Sequence, residues 1–318
     1  MTVKTLMVDI IKYEDSHKSL WNEFVANSKN GTFLFNRNYM EYHSDRFQDF
    51  SLLIYNDNKL IGLFPANVSG STVVSHAGLT YGGVISNSKM MTPLMLEIFA
   101  ALKHFLHSSG IKKLRYKAIP HIYHSFPAEE DLYALFVNGA KLVRRDVSTS
   151  IFSADKPPLS KGAKYGISRG LKNDIEIRQS YDFEAFIDME NVNLQRKYGV
   201  TAVHSGQELR MLAERFPENI KLFCAYKNDK LLAGMVIYET QNVAHAQYMA
   251  SNDEGKEANA IYVVTNYIIN ELYKDKKVFD FGISTEQEGR YLNESLIAHK
   301  ERFGGRATVY DTYELDIS

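Results

Sequence analysis

The sequence has 318 residues, of which 45% are hydrophobic, and its 37 basic and 38 acidic residues leave a formal net charge of −1. That length supplies two domains with real cores, and the charge excludes a chain that is basic as a whole and holds nucleic acid by bulk charge. The single cysteine, Cys224, excludes an intrachain disulfide and a cysteine-based zinc centre, and in LFCAY it reads as a small core hydrophobe.

The chain opens with MTVKTLMVDIIKYED, whose apolar run is short and broken by Asp9. It lacks the layout of a secretory leader, which predicts a cytoplasmic protein. A first strand (LMVDIIKYE) leads into a helix (SLWNEFVANS) and then the aromatic stretch NGTFLFNRNYMEYH. SLLIYNDNKLIGLFPANV reads as a hairpin: two apolar strands about an Asn/Asp-Lys turn. A further strand and glycine-rich turn follow (TVVSHAGLTYGGVI), then the amphipathic helix TPLMLEIFAALKHFL and a strand, KKLRYKAI. That helix carries Glu97 and Lys103 and is too short and polar to span a bilayer. His121 and His124 sit in a proline-flanked loop without a third ligand, so no metal site is expected. DLYALFVNGAKLVRRDVSTSIF closes the first half as helix, glycine and strand.

Pro157 and Pro158 break structure, and a basic linker helix over about 159–173 follows, with Lys161, Lys164, Arg169 and Lys172 read as a solvated face and phosphate or tRNA contact as the lesser reading. Then the chain repeats itself. IEIRQS, DFEAFIDMENVNLQRKYG and the hairpin KLFCAYKNDKLLAGMVIYE match the opening of the first half, and Gly62 and Gly234 hold equivalent places. VAHAQYMAS, the helix ANAIYVVTNYIINELYKD, KKVFDFG and a final helix, glycine and strand complete the second copy. Both halves read β-α-α-β-β-β-α-β-α-β, which predicts an α/β chain of mixed sheets with helices on their faces. The predicted domains are 1–153 and 154–318, with a cleft between them.

This doubled order resembles the tandem GNAT-type N-acyltransferases, and within them the FemAB-like or BioF2-like branch. The stretches that carry the likeness are NGTFLFNRNYMEYH, SHAGLTYGGVI, KYGVTAVHS and FDFGISTEQEGRYLNESLIAHKERFGG. The resemblance implies transfer of an acyl or aminoacyl group to an amine of a cell-envelope or polysaccharide precursor. It implies no permanently bound cofactor, acyl-CoA or aminoacyl-tRNA as co-substrate, and a small-molecule, lipid-linked or sugar-nucleotide acceptor. Two rival readings stand beside it. One is a tRNA-dependent transferase of the peptidoglycan-bridge type, disfavoured because the helical insertion some of its members carry is missing and the charge is near neutral. The other is a GNAT-like binding protein without catalysis. Single-domain GNAT enzymes hold the CoA pyrophosphate on a [QR]-x-x-G-x-[GA] loop at a helix start. The equivalent SNDEGKEANA offers Gly255, but Glu257 takes the small-residue place and Asp253 and Glu254 add negative charge.

The resemblance places the donor where VAHAQYMAS and KKVFDFG splay apart at their C-terminal ends. Asp280, mid-strand where Asp is disfavoured, is either a backbone cap or a site carboxylate. Glu286 follows the turn after it, and Thr285 with Glu288 reads as a capping box. A helix is expected from about Tyr291 to Phe303, ended by Gly304-Gly305, with Leu292, Leu296, Ile297 and Phe303 buried. Lys300 falls on that packing face. It either snorkels to water or serves the site, as a charge for an anionic substrate group or a proton carrier. Lys300, Glu286, Asp280 and Tyr291 are thus the candidate catalytic residues. Asn293, Glu301, His76, Tyr81, Gly82, Gly83, Phe35 and Arg37 are the candidate substrate-binding residues.

Overall fold

The computed structural model describes residues 8–317; Leu6 and Met7, the start of the predicted first strand, lie outside them. By contacts the chain divides into two compact units. The first holds the chain to Asp146, Gln287–Arg290 and the end of the chain from Val309; the second holds Val147–Glu286 and Tyr291–Thr308. By contacts the division falls at 146/147, and the last strand joins the first unit from Val309 onward.

The first unit runs β1 (Val8–Lys12), α1 (Lys18–Ala26), α2 (Arg37–Met40), β2 (Gln48–Asp49), β3 (Leu52–Asn56), β4 (Lys59–Phe64), β5 (Asn67–Ser69), β6 (Thr72–Val74), β7 (Ile85–Ser86), α3 (Thr92–Ser108), β8 (Lys113–Lys117), α4 (Glu130–Val137) and the start of β9 (Lys141–Phe152). The second takes the rest of β9, then α5 (Lys161–Gly170), β10 (Glu176–Ser180), α6 (Phe183–Tyr198), α7 (Gly206–Arg215), β11 (Ile220–Lys227), β12 (Lys230–Glu239), β13 (Val243–Ser251), α8 (Asp253–Glu257), α9 (Ala260–Tyr267), β14 (Val278–Ile283), β15 (Thr285–Glu286), β16 (Tyr291–Leu292), α10 (Glu294–Glu301) and the start of β17 (Arg306–Asp316).

Each unit is built on the hairpin its sequence announces. Asp57 and Asn58 stand at φ 47° and 60°, and Asn228 and Asp229 at 49° and 58°. Two successive left-handed residues make the turn whose twist matches antiparallel strands, and Asn and Asp tolerate that region best. The hairpin fixes the register, so Gly62 lies opposite Ile54 in β3–β4 and Gly234 opposite Cys224 in β11–β12. Each unit also contains one parallel pair: β6 with β8, and β13 with β14. In the second unit the order runs β10-β11-β12-β13-β14-β9, with α9 and Phe303 covering one face through Phe223, Met235, Ile237, Ala246, Phe279 and Phe281. In the first unit α3 covers β3, β4 and β8 through Ile98, Phe99 and Leu102 against Ile54, Phe64 and Leu114. β9 starts in the first unit and ends in the second beside β14, whereas β17 starts in the second and ends in the first beside β8.

The second half of the chain departs from expectation after Ser284. No helix starts at Thr285 and no capping box forms there: Thr285–Glu286 and Tyr291–Leu292 pair as a short hairpin. Gln287, Glu288 and Gly289 all take positive φ at its tip, which a helix start cannot accommodate. α10 is shorter than predicted, because Asn293 ends the hairpin and caps the helix by accepting from the Leu296 N–H at 3.1 Å. Leu292 is exposed, and Leu296 and Ile297 are only half-buried. Within α10 the fully buried side chain is Lys300.

Candidate active site

The site forms where the parallel ladder of the second unit stops. β13 and β14 pair at three positions only, ending with His245 opposite Asp280. β13 then runs on to Ser251 beside β12 alone, so its backbone groups on the β14 side have no strand partner. A bulge falls at the same place: Val236 opposes Tyr248 and Ile237 opposes Ala246, which leaves Gln247 as the extra residue. Its side-chain oxygen is buried without a hydrogen-bond partner. On the other strand Gly282 takes φ 76°. That left-handed residue interrupts the extended course of β14, whose pairing with β9 resumes only at Ile283, and is open to glycine at no steric cost.

Asp280 is fully buried, and four donors converge on its carboxylate. The Ser148 and Ser150 hydroxyls donate to Oδ1 at 2.6 and 2.7 Å. His245 Nδ1 and the Gly282 N–H donate to Oδ2 at 2.7 and 3.3 Å. Burial alone would push this carboxyl up, but the interaction with His245 and the hydrogen bonds from the two serines outweigh it and hold the group below the usual carboxylate range. The consequence for His245 is geometric. With Nδ1–H committed to an ionised carboxylate, the neutral ring keeps its lone pair on Nε2. The side chain retains 11% exposure, and its Cε1–Nε2 edge lies over Gly282. A buried Asp that fixes the tautomer of a slightly exposed His is the arrangement of a general base.

Lys300 reaches the same strand end from α10. Its ammonium donates to the Gly282 and Ile283 carbonyls, each at 2.8 Å. These are the acceptors that the kink takes away from the ladder. Burial lowers its pKa to about 8, with Asp280 acting in the opposite direction. The lysine sits on the packing face because the broken strand beneath it needs a donor.

A second polar group lies downstream. Asn293 Nδ2 donates to Glu286 Oε1 at 2.8 Å and to the Tyr198 hydroxyl at 3.1 Å. This ties the end of α6 to the β15–β16 hairpin, of which Tyr291 is an exposed member. Glu301 is exposed at the end of α10. Upstream on α6, Glu190 makes no ion pair among the described residues, and burial pushes its carboxyl up to about 7. It stands near Tyr248, whose hydroxyl meets His204 Nδ1 at 2.8 Å.

The remaining predicted residues belong to the first unit. There the segment 75–83 closes off the end of β8: the Gly82 N–H donates to the Lys117 carbonyl at 2.8 Å, and the Lys117 ammonium bonds the His76 and Leu79 carbonyls. His76 is buried and stacked on His43 at 5.2 Å. Gly83 backs onto the Tyr116 ring. Tyr81 and Phe35 meet edge-to-face at 5.9 Å in the core. Arg37 is held by Asp49 at 2.6 Å and Glu41 at 3.2 Å, over the Tyr13 ring. The structure gathers Asp280 with Lys300, and Glu286 with Asn293; the six first-unit residues form separate packing groups.

The loop compared above with a pyrophosphate site is α8. Asn252 already caps it, accepting from the Gly255 N–H at 2.7 Å. Asp253 pairs with Arg196 at 3.0 Å and Lys256 at 2.8 Å, and Glu254 pairs with Lys230. A Cβ on Gly255 would lie 2.1 Å from the Leu232 carbonyl oxygen, so this glycine serves the packing of α8 on β12. Among the described residues no cluster of three or more metal-ligating side chains occurs, and no helix is long and apolar enough to cross a membrane.

Residues 162–291, which contain the β13–β14 opening and the His245–Asp280 pair, match the family described as "Acetyltransferase (GNAT) domain". Over these residues the chain resembles a GNAT acetyltransferase domain. Around that domain the whole fold has counterparts among solved structures. FemX is 9% identical, covers 95% of this chain and 96% of its own, and superposes with a TM-score of 0.67. L-PGS from Bacillus licheniformis is 11% identical, with 96% and 92% covered and a TM-score of 0.60. A tandem GNAT protein from the clavulanic acid biosynthesis pathway is 10% identical, with 98% and 99% covered and a TM-score of 0.50. At these identities the likeness is one of fold: two GNAT-like domains in tandem, resembling the FemAB-like branch. No curated protein matches at the level of sequence.

His245 is the residue that sequence reading missed. It lies in the quoted strand VAHAQYMAS, mid-strand among small apolar residues, and only the parallel register brings it to Asp280.

Proposed function

We propose that the chain is an N-acyltransferase whose chemistry takes place at the open end of the β13–β14 ladder, with His245 as the base and Asp280 as its positioning residue. The observation that carries this is the His245–Asp280 pair placed where the two strands part inside the GNAT domain. The acceptor amine attacks the donor carbonyl and the new C–N bond forms. The amine proton passes to His245 Nε2, the C–S or C–O bond to the leaving group breaks, and the proton is passed from His245 to that group as it departs. Unpaired backbone N–H groups of β13 beyond His245 are suited to the carbonyl oxygen as charge develops on it. Lys300 holds the Gly282–Ile283 turn and so the geometry of the site, and Glu286, Asn293 and Tyr198 border the acceptor side.

The donor is acyl-CoA or aminoacyl-tRNA, and the acceptor an amine of a cell-envelope or polysaccharide precursor, small, lipid-linked or sugar-nucleotide, in the cytoplasm. The self-capped, acidic start of α8 supports weak retention of the CoA pyrophosphate. Acetyl-CoA titrated by calorimetry is therefore expected to bind no tighter than the micromolar range, about −8 kcal/mol. Thiol release from acetyl-CoA, followed across a panel of primary amines, tests the activity itself. His245→Gln should cut the rate at least about a hundredfold in a folded protein. Full activity in that variant would remove the base from this reading. Absence of turnover with every donor and amine, together with binding of an acceptor, would favour the non-catalytic binding protein.

A further inference from the structure

From Lys156 to Asn173 the chain carries five basic residues and no acidic one, in a protein whose acidic residues slightly outnumber its basic ones. α5 lies within this stretch and is two-faced. Its inner side is fully spent on packing: Gly166 lies under the Tyr262 ring, Gly170 against Val263, and Ala163 and Ile167 are buried. Lys161, Lys164, Tyr165, Ser168 and Arg169, with Leu171 and Lys172 just beyond, point to solvent, and the spacing of three and four residues along the helix sets them on one side. Lys161, Lys164 and Lys172 make no ion pair among the described residues, and the Arg169 guanidinium donates to the Tyr165 hydroxyl at 3.2 Å. Lys156 is drawn inward to Asn270. Asp155 and Asp174 flank this stretch in the chain, and Glu301 is exposed next to Arg302, whose carbonyl meets Ser160 at the start of α5; α5 itself carries no acidic residue.

We propose that this outer side of α5 docks the second unit on an anionic phospholipid surface. Charge complementarity supplies the attraction, since each Lys or Arg near such a surface adds to it. The apolar members decide between surfaces. Tyr165 and Leu171 are each 64% exposed among the charges. A leucine offers nothing to a phosphate backbone, whereas a bilayer interface takes up both the leucine and the amphipathic ring of the tyrosine. The placement also has a consequence. The Ser160 N–H donates to the Arg302 carbonyl at 2.9 Å, so α5 begins against the end of α10, the helix that carries Lys300. Docking would bring a lipid-borne amine near the site without any membrane-spanning segment.

The test is co-sedimentation of the full chain with phosphatidylcholine vesicles, with and without phosphatidylglycerol. Binding is expected only with phosphatidylglycerol and should fall steeply with added salt. Lys161→Glu with Lys164→Glu should weaken it about tenfold or more, and Leu171→Ser should weaken it without changing the salt dependence. Lys59→Glu with Lys89→Glu, exposed lysines of the first unit, should leave it unaltered. All these positions are exposed, so circular dichroism should report an unchanged fold. Equal binding to both vesicle types, or no effect of the α5 charge reversals, overturns the proposal. So does tighter binding of a tRNA with the same sensitivity to those reversals, which would assign the surface to nucleic acid.

Discussion

Asp280→Asn separates a positioning carboxylate from a merely structural one. In the native site Oδ1 accepts from two serines, and Oδ2 accepts from His245 Nδ1 and the Gly282 N–H. An asparagine of the same shape keeps one acceptor oxygen for the serines but turns an NH2 toward the other pair. The Gly282 N–H then faces a donor and loses its acceptor, at a cost of about 1–3 kcal/mol. That is survivable in a domain whose stability is about 5–15 kcal/mol. For His245 the change is qualitative: Nδ1 must now accept, so the ring proton moves to Nε2 and the base is gone. The expected result is a folded protein, less stable by about 2 kcal/mol, with acyl transfer reduced about 10²–10⁴-fold. Nitrogen-15 spectra of labelled histidine supply a readout that needs no substrate. The native His245 should show the Nδ1–H tautomer, and Asp280→Asn the Nε2–H tautomer. A native Nε2–H ring, or full activity in the folded variant, would refute the reasoning.

Three further outcomes follow from the same structure. Lys300 has its pKa lowered from 10.5 to about 8, so between those values the unfolded chain holds more protons and stability rises with pH, by about 3 kcal/mol in all. Lys300→Met should lose that share of the alkaline rise in urea midpoints, and it should slow transfer because the Gly282 and Ile283 carbonyls lose their donor; an unchanged alkaline limb would count against a buried, charged Lys300. Gly255→Ala should destabilise by several kcal/mol through the Leu232 carbonyl, whereas a glycine reserved for phosphate would leave stability intact and weaken donor binding alone. In the first unit, burial lowers His76 to about 3. Its contribution is therefore fully present above pH 6.5 and is lost as pH falls from there toward 3. His76→Asn, which suits the left-handed backbone at φ 60°, should flatten the acid limb of a pH–stability curve, and an unaltered limb would clear His76 of that role.

What was legible in the sequence was whatever local chemistry specifies. Asn and Asp at the two hairpin tips announce left-handed turns, and a fixed turn fixes a register, so the doubled architecture could be read with few errors. The hairpin after Ser284 could not, because Thr285 and Glu288 satisfy the capping pattern as well as they satisfy a turn, and the choice falls to Gln287, Glu288 and Gly289 adopting positive φ together. The ends of β9 and β17 escape sequence reading for another reason. Nothing in an alternating strand names its neighbour, so membership of Val309–Asp316 in the first unit is decided by pairing with β8.

The site divides along the same line. Asp280 and Lys300 were conspicuous because each violates the preference of its own element, a carboxylate mid-strand and a lysine on a packing face. Their partners were invisible: His245 is 35 residues away on a parallel neighbour, and the ligands of Lys300 are backbone carbonyls with no sequence identity at all. The two anomalies are connected through one glycine. Gly282 leaves the extended region just past the last β13–β14 pair, which interrupts the pairing of β14, leaves its own carbonyl and that of Ile283 to Lys300 and brings its own N–H to Asp280. Lys300 answers the first loss, and Asp280, loaded with four donors, orients His245 beside the opening. A lysine so engaged at neutral pH spends two of its three N–H bonds on the protein and has little freedom to shuttle protons, whereas Nε2 of His245 has no hydrogen-bond partner among the described residues. The division of labour we infer, Lys300 for the shape of the strand end and His245 for the proton, follows from that difference in what each nitrogen has left to offer.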